Sequence, residues 1–240
     1  MCFLREHRQG LVLPLLEKLS PMGEINAFTS FDYTCYYINS PATHLKQSTE
    51  VLLDMVSNPT FLQNELVPER EVVHEEYKRS QDNPNNFNFQ KMQKASFRGG
   101  YAHPILGNPE TIQNFSREQL IDFRNRYYNL SNSMLVVAGD IHDQSPYSKL
   151  VESFNFPKGP RSAFNEFKLS NKDVFDFHNK EVKLASLTLV LEAPHYEDEK
   201  APVEDLAFSC LGHGETSLLY RDLVIDSQLA HAVSASTMYL

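Results

Sequence analysis

The stretch from Ile25 to Ile38 limits the possible folds more than any other part of the chain. It is rich in Phe, Thr, Tyr and Ile, and Ile25, Ala27, Cys35 and Tyr37 fall on one parity. Such residues, alternating at period two, suit a pleated surface, so the segment reads as strand, turn near Ser30-Phe31-Asp32, strand. Helical spacing then takes over: Leu45, Thr49, Leu52, Met55 and Val56 form one stripe, stopped by Asn58-Pro59. A more charged helix follows from about Leu62 to Ser80, with Pro68 expected to mark its first turn. A hairpin followed by helices predicts an α+β fold, an antiparallel sheet flanked by helices.

Leu11, Leu15, Leu16 and Leu19 predict a short helix ended by Pro21 and Gly23. Asp82 to Asn88 reads as a polar loop, Phe89 to Phe97 as helix, and Gly99 to Pro109 as irregular chain. Ser116 with Gln119 is a capping-box signature that opens a helix to about Tyr128. Met134 to Ala138 is a nearly continuous apolar run, expected as a buried strand that closes a first module, residues 1–142. The polar, Pro- and Gly-punctuated stretch from Asp143 to Asn171 places the module boundary there. Residues 143–240 form a second module: strand-like Val182 to Leu191, a helix near Val203 to Cys210, a helix from Ser217 to Asp226 and strand-like Ala230 to Ser236. Its order resembles the first module, and it is expected to be truncated.

A net charge of −9 over 240 residues leaves no electrostatic footprint for nucleic acid, and no basic run suits an anionic membrane. Cys2, Cys35 and Cys210 show no C-x-x-C spacing, so neither a disulfide framework nor a zinc ribbon is indicated. No apolar stretch approaches the roughly 20 residues that span a bilayer, and Glu6, His7 and Arg8 interrupt any signal-peptide core. The chain is expected to be soluble, with its compartment open and any upstream targeting segment outside this sequence.

Phe3-Leu4-Arg5-Glu6-His7 matches the helix motif H-x-x-E-H except at its first histidine. On a helix, positions i, i+3 and i+4 share a face, so two histidines can ligate zinc while the glutamate polarises metal-bound water. Phe3 has no lone pair, and Cys2 lies roughly 140° around the helix from His7. Taken alone, Glu6-His7 is more simply an exposed pair at a helix start. Downstream, Glu69, Val72, Val73 and Glu76 share a stripe of a continuous helix, since positions seven apart return to within roughly 20°. Two carboxylates bordering a buried face call for a cation or metal; solvated charges beside Lys78 and Arg79 are the simpler alternative. The Gly212 to Ser217 loop lacks the lysine of a phosphate-binding loop, and no G-x-S-x-G elbow supports a serine-hydrolase triad.

In chain order, Gly23 to Ser30 with Tyr33 to Tyr37, Asn58 to Phe61, Glu69 to Glu76, Pro104 to Gly107 with Pro109 to Ile112, and Leu135 to Asp140 resemble the pitrilysin, insulin-degrading enzyme and mitochondrial processing peptidase family. Gly212 to Tyr220 and Leu229 to Ser236 resemble that family's second, non-catalytic module. The resemblance implies an inverted-motif zinc metallopeptidase, with Glu6 the general base, His7 and Glu76 zinc ligands and Glu69 a supporting carboxylate. It further implies that Asn26, Ala27 and Phe28 lie on an edge strand that takes an extended peptide as an added strand.

The departures are concentrated at one end. The first histidine is replaced, the chain between His7 and Gly23 is several residues short, and the strands that precede the zinc helix are missing from the first module. A frameshifted or mis-started N-terminus, an alternative product and a degenerate homologue each fit that pattern. The expected single zinc is therefore weakened or lost, since one histidine and one glutamate replace three protein ligands. The chain is expected to be a zinc metalloendopeptidase-family domain with little or no activity. The alternatives are a non-catalytic peptide-binding or partner subunit, and a non-functional fragment. Its expected partners are an extended peptide and a second homologous half or subunit.

Overall fold

The computed structural model describes residues 23–143, 145–163, 168–170 and 183–239. They pack as two compact units, dividing between Lys183 and Leu184. The expected helix over Leu11 to Leu19 lies outside the described residues, as do Glu6 and His7.

The first unit opens with the expected hairpin, β1 (Glu24–Thr29) and β2 (Thr34–Asn39), paired antiparallel from Glu24 opposite Asn39 to Thr29 opposite Thr34. Its inner face carries Ile25 and Ile38 onto Val51 of α1 (Leu45–Ser57). Asn58 ends α1 as expected, donating its backbone N–H to the Asp54 carbonyl at 2.8 Å. Buried Phe61, at φ 44°, then turns the chain into α2 (Gln63–Asp82). A phenylalanine in this left-handed region is strained, and the surrounding packing holds it there.

The helix α2 starts ahead of Pro68, so the proline lies in its second turn rather than its first. It costs α2 the bond its amide would have made to the Asn64 carbonyl, which an exposed helix face tolerates because water can serve that carbonyl. The helix α3 (Pro84–Ser96) also begins earlier than expected, inside the supposed polar loop. Asn83 accepts from the amides of Asn85 (2.9 Å) and Asn86 (3.3 Å), and Pro84 occupies the first helical position, so Asn-Pro is here a start signal.

A short helix α4 (Pro109–Asn114) follows, capped by Asn108 and Thr111, then α5 (Arg117–Tyr127). The Ser116 capping box is as expected: Ser116 Oγ accepts from Gln119 N at 3.2 Å, and Ser116 N donates to Gln119 Oε1 at 2.7 Å. An unforeseen α6 (Ser145–Ser153) packs on α1, and a small pair β3 (Phe97–Arg98) and β4 (Lys168–Leu169) runs antiparallel. Met134 to Ala138 differs from expectation: it forms no strand ladder among the described residues, with Leu135 and Val137 half-buried and Met134 and Val136 exposed. An apolar run becomes a buried strand only when neighbouring strands cover it.

In the second unit, α7 (Ala201–Gly212) precedes a π-helical segment, Tyr220–Asp226. The chain after it returns along α7: Ala235 N donates to Gly212 O at 3.2 Å and Tyr239 OH to Ala201 O at 3.3 Å. A Cβ on residue 212 would stand 2.6 Å from Ala235 N, so this close approach requires glycine. The expected strands over Val182 to Leu191 and Ala230 to Ser236 form no ladder among the described residues, for the reason given for Met134 to Ala138. No helix among the described residues is long and apolar enough to cross a membrane.

The architecture is thus helix-dominated α+β with small antiparallel sheets.

Candidate functional site

Hairpin phase decides which backbone groups of β1 are available. At the turn, Ser30 N donates to Tyr33 O at 2.8 Å. In an antiparallel pair, bonded and non-bonded partners alternate. Counting back from Ser30 and Tyr33, the pairs Phe28–Cys35, Asn26–Tyr37 and Glu24–Asn39 use their N–H and C=O groups within the hairpin. Ile25, Ala27 and Thr29 turn theirs to the opposite edge, where β1 has no ladder partner among the described residues. Consistent with that phase, Ala27 N donates not to β2 but to Asn26 Oδ1, at 2.9 Å.

The three expected edge residues are therefore together on β1 and differ in surroundings. Ala27 is buried, whereas Asn26 and Phe28 are exposed. Phe28 stacks edge-on against Tyr33, with ring centroids 5.7 Å apart.

The turn is anchored from outside the hairpin. Tyr101 OH donates to Asp32 Oδ1 at 2.6 Å, and that bond, with burial and the carboxylate's charge, pushes the Tyr101 phenol from 10.0 up to about 12. Phe31 packs against Phe89 and Tyr101, with centroids 6.4 and 6.0 Å away. Gln93, 2% exposed, donates Nε2 to the carbonyls of Tyr101 and His103, both at 2.7 Å. At the middle of β2, Tyr36 OH meets Tyr128 OH at 2.9 Å.

The other candidates sit on α2, which runs unbroken from Gln63 to Asp82, so Glu69 and Glu76 do share a stripe. Glu69 is buried and Glu76 half-buried. One turn before Glu69, Glu65 Oε2 is shielded from solvent with no hydrogen-bond partner among the described residues. Helical spacing from Glu69 could have included Glu65 in the stripe.

Three arginines tie the end of α1, the α1–α2 connection and the early part of α2 to the segment from Phe115 to Arg124. Arg117 Nε donates to Phe61 O at 2.6 Å, Arg124 Nη2 donates to Ser57 O, and Arg70 Nη2 donates to Phe115 O while its guanidinium lies 5.1 Å from the Phe115 ring centroid. Burial lowers the Arg124 pKa from its ordinary value. No group of three or more His, Cys, Asp or Glu poised to hold a metal ion occurs among the described residues. The structure thus places Asn26, Ala27 and Phe28 on one strand and Glu69 and Glu76 on one helix, while Glu6 and His7 are outside the described residues. Sequence reading missed Asp32, Gln93 and Tyr101, whose contacts cross the chain and leave no local signal.

Residues 9–110 match the sequence model of the insulinase family, peptidase family M16, and residues 114–239 match the peptidase M16 inactive domain. An uncharacterized zinc protease of Bacillus subtilis, YmxG, is 30% identical over 88% of the chain and 52% of its own length. A more distant relative, cytochrome b-c1 complex subunit 1 of mouse mitochondria, is 23% identical over 80% of the chain and 41% of its own. The crystal structure of a Helicobacter pylori protease superposes with a TM-score of 0.76 at 24% identity, covering 93% of the chain and 56% of that protein. The chain spans about half the length of the zinc-protease relatives it matches.

Proposed function

Since the chain belongs to the insulinase (M16) peptidase family, we propose that it captures extended peptides on the edge of β1 that has no ladder partner among the described residues, and hydrolyses them weakly or not at all. The phase of the hairpin carries this reading. Ile25, Ala27 and Thr29 present alternating N–H and C=O groups to that edge, the spacing an added strand requires. An incoming peptide carbonyl would take the Ala27 N–H from Asn26 Oδ1, so Asn26 serves as an exchangeable acceptor that keeps the amide satisfied in the free chain. Main-chain pairing of this kind is tolerant of sequence, which fits unfolded or short peptides as substrate or ligand.

The donor set counts against a tight zinc site. Phe3 stands where the motif needs its first histidine, leaving His7 and Glu76 as protein ligands, with Glu6 as base and Glu69 in support. Two donors do not fit a catalytic zinc, which takes three protein ligands and an open fourth position.

A non-catalytic partner subunit is the second reading, favoured by Phe3 standing in place of the motif's first histidine. Its partner would be a second homologous half or subunit.

Zinc content and peptide cleavage of the purified chain test the proposal together. The expected result is well below one zinc per chain and no cleavage that depends on Glu6. One zinc per chain, lost in Glu76→Gln, with cleavage abolished by Glu6→Gln, would reverse it.

A further inference from the structure

We infer that Tyr101 and Asp32 are positioning residues for peptide capture: the phenol holds the hairpin turn and with it the direction in which the β1 edge is presented. The inference rests on the peptide-binding reading above. Asp32 lies in the turn that immediately follows Thr29, the last edge-facing residue of β1. A two-stranded ribbon twists easily unless something fixes it. This one is held at its far end by Ile25 and Ile38 on Val51, and at its turn by the 2.6 Å bond from Tyr101 to Asp32 and by Phe31 among the Phe89 and Tyr101 rings.

The anchor is itself fixed. Tyr101 is buried, and Gln93 grips its carbonyl and that of His103 two residues on, so the tyrosine backbone cannot yield to the turn. Hydrogen bonds therefore run continuously from α3 through Tyr101 to the hairpin. A peptide strand must register with Ile25, Ala27 and Thr29 at once. If the turn swings, the Thr29 end drops out of line while the Ile25 end stays seated, and the peptide loses bonds without the hairpin unfolding.

The test is fluorescence anisotropy of a dye-labelled, proline-free, unstructured decapeptide with the full chain, well below the unfolding temperature of every variant. Tyr101→Phe keeps the ring packing and removes the hydroxyl; binding is expected to weaken about fivefold, through faster release. Asp32→Ala should lose as much, and the double variant no more than either single, because both act through one bond. Asp32→Asn retains an acceptor oxygen and should bind within about twofold of the wild type. Wild-type affinity in Tyr101→Phe overturns the inference alone, as do losses that multiply in the double variant. Absence of peptide binding by the wild-type chain overturns the peptide-capture reading and the inference with it.

Discussion

Up to Lys183 the buried residues include whole large side chains, Phe61, Met55 and Leu66 among them, whereas from Leu184 onward only Ala201, Gly212 and Ser217 are buried among the described residues. The first unit also spends polar groups on long-range ties: Gln93 to the chain at 101 and 103, Asn129 to the Pro160 carbonyl at 3.3 Å, Tyr101 to Asp32. The second unit has ties of similar reach, from Thr237 to Asp205 and from Tyr239 OH to the Ala201 carbonyl, but they cover little apolar surface, and Leu187, Leu189, Leu206 and Leu218 stay exposed. Large side chains buried together make a core cooperative, while apolar side chains left in solvent keep local changes local.

The sharpest way to break that comparison is a cavity in the first unit. Leu66, 1% exposed on α2, should cost about 3 kcal/mol when replaced by alanine, read from urea unfolding. Next comes Gln93→Leu, which leaves two carbonyls without their donor; about 2 kcal/mol of lost stability is expected in the same assay. Tyr101→Phe should cost about 1 kcal/mol at neutral pH. Because the folded phenol is raised from 10.0 to about 12, the contribution of its hydroxyl is whole below pH 10 and is lost as pH rises through about 12. The stability difference between wild type and Tyr101→Phe should therefore stay flat to pH 10 and shrink above it. The smallest effect is expected in the second unit, where Leu206→Ala, at a residue 66% exposed, should move stability by no more than about 0.5 kcal/mol. A loss there as large as that of Leu66→Ala would erase the contrast between the units.

Much of this was legible because it is local. The Phe-, Thr-, Tyr- and Ile-rich composition of Ile25 to Ile38 gave the hairpin, although the register sets Ile25 and Ala27 on the face of Ile38 and Tyr36 rather than that of Cys35 and Tyr37. The Leu45 to Val56 stripe gave α1, and Ser116 with Gln119 gave the start of α5 to the residue. The stripe that carries Glu69 and Glu76 needed only an unbroken helix, and α2 supplies it despite Pro68. What escaped depends on longer reach or on weaker cues. Helix α3 hid behind an Asn-Pro pair that signals a turn as readily as a cap, and α4 uses threonine where a capping box more often has glutamate or glutamine. Met134 to Ala138 reads as a buried strand only if partners cover it. The bond between Asp32 and Tyr101 joins residues 69 positions apart, a pairing no periodicity encodes.

The most direct test of the β1 edge is amide hydrogen exchange with and without saturating peptide, resolved residue by residue by NMR. The account predicts new protection at the amides of Ile25, Ala27 and Thr29, with those of Asn26 and Phe28 unchanged because β2 already holds them. Bound peptide with no added protection at Ile25, Ala27 and Thr29 would contradict it.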